Sequence, residues 1–238
     1  KSVGGYHAAK LRRYQDLIER HIGPEMGTLT GILQSQPSDS VLTATMARLS
    51  ILNMLNTRYF IINPDGPPLP NSSALGNAWF VNEYKMVADP DAEMAALDNL
   101  DPSRTAVVDK QFEDLLSGLK ITVEPAASIK LTQYDPKELV YEVNSGGEQL
   151  IVFSEIYYND EKGWKAYIDG EPVPHFRADY VLRAMRYPGG KHTVTFRFHP
   201  RSFHTGETFS LLFSLILLLG AGAVFFLEYR KRQTKREN

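Results

Sequence analysis

YPGGKHTVTFRF, residues 187–198, is the stretch that decides the fold. Pro188-Gly189-Gly190 supplies a turn. Beyond it Val194, Phe196 and Phe198 alternate with Thr193, Thr195 and Arg197. A period of two places the apolar set on one face of a strand and the polar set on the other. Upstream the pattern repeats between turn residues. Candidate strands are Ile121–Val123, Ser128–Gln133, Leu139–Val143, Gln149–Tyr158, Trp164–Ile168 and Tyr180–Tyr187, with His192–Phe198 last. Asp169-Gly170 is a two-residue hairpin turn between Ile168 and Val173. Short strands at 8–12-residue spacing predict an all-β immunoglobulin-like sandwich over 117–206. Its expected core holds Ile121, Tyr141, Val152, Trp164, Ile168, Val194 and Phe196.

The residues before Gly118 read differently. Leu11, Tyr14, Leu17, Ile18 and Ile22 lie on one stripe of a helix over Tyr6–Ile22, which Gly23-Pro24 is expected to stop. Ser38-Asp39-Ser40 caps a second helix reaching about Leu55, with Leu42, Met46, Leu49 and Leu52 on its apolar face. Tyr59–Ile62 reads as a short buried strand ended by Asn63-Pro64-Asp65-Gly66. Strand character returns at Ala78–Val87 and Thr105–Val108, with a short helix from Pro90 to Leu97 between them. Residues 1–116 therefore form a small α/β unit, and the fold class is α+β.

After the sandwich comes FSLLFSLILLLGAGAVFFL, Phe209–Leu227, nineteen residues without a charge. At about 1.5 Å per residue it reaches roughly 28 Å, close to the thickness of a bilayer core. Arg230, Lys231, Arg232, Lys235 and Arg236 follow. The expectation is a transmembrane helix over 207–228, a basic cytoplasmic tail over 229–238, and an extracytoplasmic 1–206. An apolar core helix is the competing explanation, but such a helix rarely ends in a block of cations. The chain begins at Lys1 without a signal sequence, so we expect it to be the C-terminal piece of a longer membrane protein.

Composition narrows the chemistry. Residues 1–207 carry 21 Lys+Arg against 26 Asp+Glu, a balance that disfavours nucleic acid as a partner. The absence of cysteine removes disulfides and thiolate catalysis. No G-x-S-x-G or H-E-x-x-H occurs, and the six histidines are scattered, so no metal site and no cofactor are expected. Asp89-Pro90-Asp91 has the form of a metal-holding D-x-D, but Asp89 as helix N-cap with Pro90 at N1 explains it better. Gly189-Gly190-Lys191 reads as a hairpin turn, and Asn71-Ser72-Ser73 as a chance glycosylation sequon.

The segments GGYHAAKLRRYQDLIE (Gly4–Glu19), LNMLNTRYFI (Leu52–Ile61) and ALGNAWFV (Ala74–Val81) resemble the C-terminal region of YfhO-type bacterial membrane proteins. So do FSEIYYNDEKGWKAYIDG (Phe153–Gly170) and ADYVLRAMRYPGGKHTVTFRF (Ala178–Phe198). This resemblance implies a multi-pass parent in the bacterial cytoplasmic membrane, similar to GT-C-like glycosyltransferases that use a lipid-linked sugar. It also implies that the catalytic carboxylate lies upstream of Lys1. The fragment would then not be catalytic alone. Its partners would be the bilayer, upstream transmembrane helices of the same protein, a lipid-linked sugar and a glycan acceptor. A non-enzymatic membrane-tethered carbohydrate-binding or structural module is the alternative, and a single-pass receptor fragment a third.

Two sets of residues are candidates for binding. His7, Lys10 and Arg13 share one helix face, a geometry suited to a pyrophosphate; a solvated polar face is the simpler explanation of these cations. Trp79 and Tyr167 offer rings for sugar faces, with Asn77 and Asp169 to bond hydroxyls. Plain sandwich core is the competing explanation for the aromatic residues.

Overall fold

The structure, a computed structural model, describes residue 3 and residues 11–159 and 163–234; in the last helix, side chains are described at 206, 209–224 and 226. The first helix does not stop at Gly23-Pro24. α1 (Arg12–Leu17) opens into a π-helical turn, Ile18–Ile22, and continues as α2 (Gly23–Gln34). Pro24 falls in the first turn of α2, where its missing N–H is least needed. A Cβ at Gly23 would stand 3.2 Å from the Ile18 carbonyl oxygen, so a residue without a side chain eases closure of the wide turn. The expected second helix is two: α3 (Asp39–Ala47) and α4 (Ser50–Met54), separated where Leu49 leaves helical ψ. Ser38 caps α3 by accepting from Val41 N, as its position predicts. Glu25 of α2 caps α4 from outside, accepting from Ile51 N and Leu52 N at 2.9 Å each.

β1 (Tyr59–Phe60) and β2 (Leu69–Pro70) form a short antiparallel hairpin. The expected buried run is corrected here. Phe60 is buried, while Tyr59, Ile61 and Ile62 are exposed, because only one residue of so short a strand faces the core. β3 (Ala78–Val81) is followed by β4 (Glu83–Val87), α5 (Pro90–Ala96) and β5 (Thr105–Asp109). β4 and β5 are parallel, which requires the crossover that α5 provides. Asp89 caps α5 through Ala92 N at 2.8 Å. A short α6 (Glu113–Leu116) leads to the β-rich part.

The β-rich part comprises β6 (Ser128–Asp135), β7 (Glu138–Ser145), β8 (Gln149–Ile156), β9 (Trp164–Ile168), β10 (Glu171–Val173), β11 (Phe176–Ala178), β12 (Leu182–Tyr187) and β13 (Gly190–Phe198). One antiparallel sheet has the order β10-β9-β13-β7-β6, the other β11-β12-β8-β3. Between them lie Tyr141, Val143, Ile151, Phe153, Met185, Val194 and Phe196. Phe153 stands edge-on to Tyr141 and Phe196, ring centroids 5.0 and 4.9 Å away. β8 is buried on both faces. Ile151 and Phe153 point into the sandwich, while Leu150 and Val152 pack against the helices and the β4–β5 layer. That accounts for the unbroken apolar run Leu150–Phe153. The second sheet is completed by β3, from before residue 117.

The α+β class stands, with several revisions of detail. Residues 121–123 form no strand; Thr122 instead donates its N–H to Glu148 O. The strand expected at Tyr180 begins at Leu182, because Asp179 and Tyr180 adopt left-handed φ of 49° and 69°. Tyr141, Val152, Val194 and Phe196 are fully buried, but Ile121, Trp164 and Ile168 are half-buried. Trp164 covers the Arg183 guanidinium at 4.5 Å instead of filling the core, since β9 lies next to the edge of its sheet.

α7 (Arg201–Thr234) ends the described chain. Among the described residues no helix is long and apolar enough to cross a membrane. The described residues therefore do not establish the expected span Phe209–Leu227; its described side chains run unbroken over 209–224 and are exposed. Residues 225 and 227 and the cations Arg230, Lys231, Arg232, Lys235 and Arg236 lie outside the described side chains.

Candidate functional site

His7 and Lys10 lie outside the described residues. Arg13, their expected companion, points inward. Its Nη1 donates to Glu93 at 3.3 Å and its guanidinium lies 4.6 Å from the Tyr180 ring centre. Glu93 is fully buried on α5 and also accepts from Arg177 Nη2 at 3.1 Å and Tyr180 N at 3.0 Å. Arg177 reaches on to Asp109 at 3.2 Å. Asp179 completes the cluster; its Oδ1 accepts from Val107 N at 2.7 Å, and its Oδ2 is buried with no partner among the described residues. Burial pushes the Glu93 carboxyl up against the pull of Arg177, and pushes that of Asp179 up to about 8. With Asp179 protonated, the guanidiniums of Arg13 and Arg177 face the carboxylates of Glu93 and Asp109, and Asp16 accepts from the Tyr180 hydroxyl at 3.2 Å. The cluster clamps α5 and β5 to β11.

The aromatic set is dispersed. Trp79 is buried on β3 and its indole donates to Pro102 O at 2.7 Å, so its ring offers no open face for a sugar. Tyr167 on β9 is half-buried beneath the Arg197 guanidinium, 5.3 Å from the ring centre. Asp169 and Gly170 form the expected turn, with φ of 50° and 90°. The Asp169 carboxylate accepts from Thr193 N at 2.8 Å and pairs with His192 at 2.6 Å, contacts that hold its pKa below the usual carboxylate value. It ties β9 to β13. The Asn71 sequon is structural as well, its amide donating to Asn53 Oδ1 and Thr57 O at 2.8 Å each.

Asn77 leads to a feature that the spacing did not suggest. An open cleft of about 550 Å³ lies between α3 and the β1–β2 hairpin. Asp39, Asn56, Arg58, Tyr59 and Ser72 bring polar groups to it, and Leu42, Met46, Leu69 and Pro70 bring apolar surface. Asn77 stands behind the wall, where its Oδ1 accepts from Asn56 Nδ2 at 2.9 Å. Asn56 Oδ1 in turn accepts from Arg58 Nε at 3.2 Å. Four asparagines, 53, 56, 71 and 77, thus brace the loops around the cleft. Asn-rich loops were the one available signal, and they are weak evidence because Asn also marks ordinary turns.

Comparison with known proteins bears on the β-rich part. Residues 117–210 match the family model of the bacterial membrane protein YfhO. This stretch is similar to YfhO. It contains Phe153–Gly170 and Ala178–Phe198, while Gly4–Glu19, Leu52–Ile61 and Ala74–Val81 precede it. The matched family is described as a bacterial membrane protein, and the match covers 94 of the 238 residues. No curated protein and no solved structure matches the chain. Arg177 and Asp179 of the YfhO stretch bond to Glu93, Asp109 and Val107 ahead of it, so the charge cluster is shared between the two parts.

Proposed function

We propose that this chain is the extracytoplasmic C-terminal module of a polytopic YfhO-type membrane protein. In this proposal α7 is held in the bilayer, residues 1–206 lie outside the cytoplasm, and the tail over 229–238 lies within it. The module assists glycan or lipid-phosphate binding for cell-surface glycosylation, with the chemistry carried out upstream in the parent. The observation that carries the proposal is α7 itself. Leu211, Leu217 and Leu218 are each at least 70% exposed in an uncharged run that continues to Phe226. An apolar surface of that extent is stable against lipid or other apolar helices, not against water. The family match adds that related proteins reside in bacterial membranes.

A non-enzymatic tethered binding or structural module is the second reading. It is supported by the way Arg13 and Asp169 are engaged in internal contacts. Fusion of a compartment-sensitive reporter after Asn238 tests the orientation, which requires activity only on the cytoplasmic side. Deletion of the whole extracytoplasmic part, 1–206, from the parent separates the two readings. Loss of sugar transfer to the surface acceptor, at normal membrane levels, supports the first; unchanged transfer favours the second.

A further inference from the structure

We infer that the cleft between α3 and the β1–β2 hairpin is a binding site for a neutral sugar unit, with Tyr59 as stacking platform and Arg58, Asn56 and Asp39 as hydroxyl partners. Its volume of about 550 Å³ falls within the usual 300–1,000 Å³ of small-molecule sites. Tyr59 is 62% exposed at the rim, although its neighbour Phe60 is buried. The hairpin thus holds an aromatic ring outward at the mouth of a concave surface. Such a ring can cover the C–H face of a pyranose.

The polar groups are braced before any ligand arrives. Asn56 is held at φ 56°, a conformation that Asn tolerates better than most residues. Its side chain is fixed between Asn77 and Arg58. Arg58 uses only Nε in this contact among the described residues, which leaves its outer N–H groups for a ligand. Asn71 is buried and fixed by Asn53 and Thr57. In the same turn the Thr57 hydroxyl is buried without a hydrogen-bond partner among the described residues. Prearranged amides lower the ordering cost of binding a ligand with many hydroxyls.

The mixture of charges selects the ligand class. A phosphate site would gather cations and backbone N–H groups, whereas here one guanidinium and one carboxylate face a largely neutral wall. A lipid tail would strip water from Asp39 and from the outer N–H groups of Arg58 without replacing its hydrogen bonds, at a desolvation cost. A polyol with apolar C–H faces satisfies both kinds of surface. The choice of a sugar deepens the proposed glycan role and rests on it.

The test uses the 238-residue chain in detergent micelles, with glucose, galactose, N-acetylglucosamine and N-acetylgalactosamine as probes in saturation-transfer NMR. At least one probe should bind. Tyr59→Ala and Arg58→Ala should each weaken it by about tenfold, while Tyr59→Phe, which keeps the ring, should stay within about threefold. Unchanged melting temperatures establish that these surface variants are folded. No saturation with any of the four sugars, or equal binding by wild type and Tyr59→Ala, overturns the inference. So does inorganic phosphate that competes at Arg58. Sugar binding that fails while α7 is still held in lipid removes the cleft alone; sugar binding that persists in a chain not held in lipid removes the membrane proposal instead.

Discussion

Asp179→Asn is the most instructive single change in this protein. Asp179 is fully buried, accepts from Val107 N through Oδ1, and leaves Oδ2 without a partner among the described residues. Desolvation, with the nearby Glu93 charge adding to it, raises its pKa from 3.8 to about 8; the bond from Val107 N opposes the rise. The groups around it are Glu93, Arg177, Asp109, Arg13 and Tyr180. The folded protein therefore holds a proton that the unfolded chain releases above about pH 4. This contribution to stability is complete below that pH, declines as pH rises, and is exhausted above about pH 8. Glu93, whose pKa is also raised, acts in the same direction.

A span of roughly four pKa units sets a ceiling of about 5–6 kcal/mol, and relaxation around the ionised carboxylate brings the expected effect to a few kcal/mol. Asn keeps the acceptor for Val107 N, tolerates the φ of 49° and cannot ionise. Urea unfolding at pH 4.5, 6.5 and 8.5 should give nearly equal stability for the two proteins at the acidic end. The variant should be more stable by a few kcal/mol at pH 8.5. Parallel pH profiles, or a variant less stable at pH 8.5, would refute the assignment of a neutral carboxyl to this site.

Other changes test the remaining parts of the account. Glu93→Ala leaves Arg177 with Asp109 alone and Tyr180 N without its acceptor, so urea unfolding should register a loss of about 3–5 kcal/mol. Phe153→Ala removes the ring that Tyr141 and Phe196 both meet edge-on, for a similar loss of about 3–5 kcal/mol. Trp164→Ala should cost less, about 1–3 kcal/mol, because the half-buried ring serves mainly to cover Arg183. An NMR titration should place the Asp169 carboxyl midpoint below that of an ordinary aspartate, and Thr193 N should lose its bond as that midpoint is crossed.

Local periodicity made the sandwich legible. β13 alternates cleanly, Asp169-Gly170 carries its turn type in its composition, and Ser38 and Asp89 cap the helices they precede. What escaped depends on partners far away in the chain. Nothing near Ala78–Val81 shows that this strand pairs with β8, about seventy residues later. Pro24 reads as a stop because a π turn cannot be anticipated from spacing. Arg13 looks like an exposed cation until Glu93, eighty residues on, comes to meet it. The cleft eluded the sequence for the same reason. Asn53, Asn56, Asn71 and Asn77 are ordinary turn residues until the β1–β2 hairpin folds them together.

The central claim is that α7 holds this module in the membrane, and Leu217 lies near the middle of its exposed apolar run. The chain has no cysteine, so Leu217→Cys provides a single site for an environment-sensitive fluorophore. In reconstituted phospholipid vesicles, a nitroxide placed at the bilayer centre should quench this probe more strongly than one at the headgroups, and aqueous iodide should hardly quench it. Strong quenching by iodide, with no response to the deep nitroxide, would contradict the account.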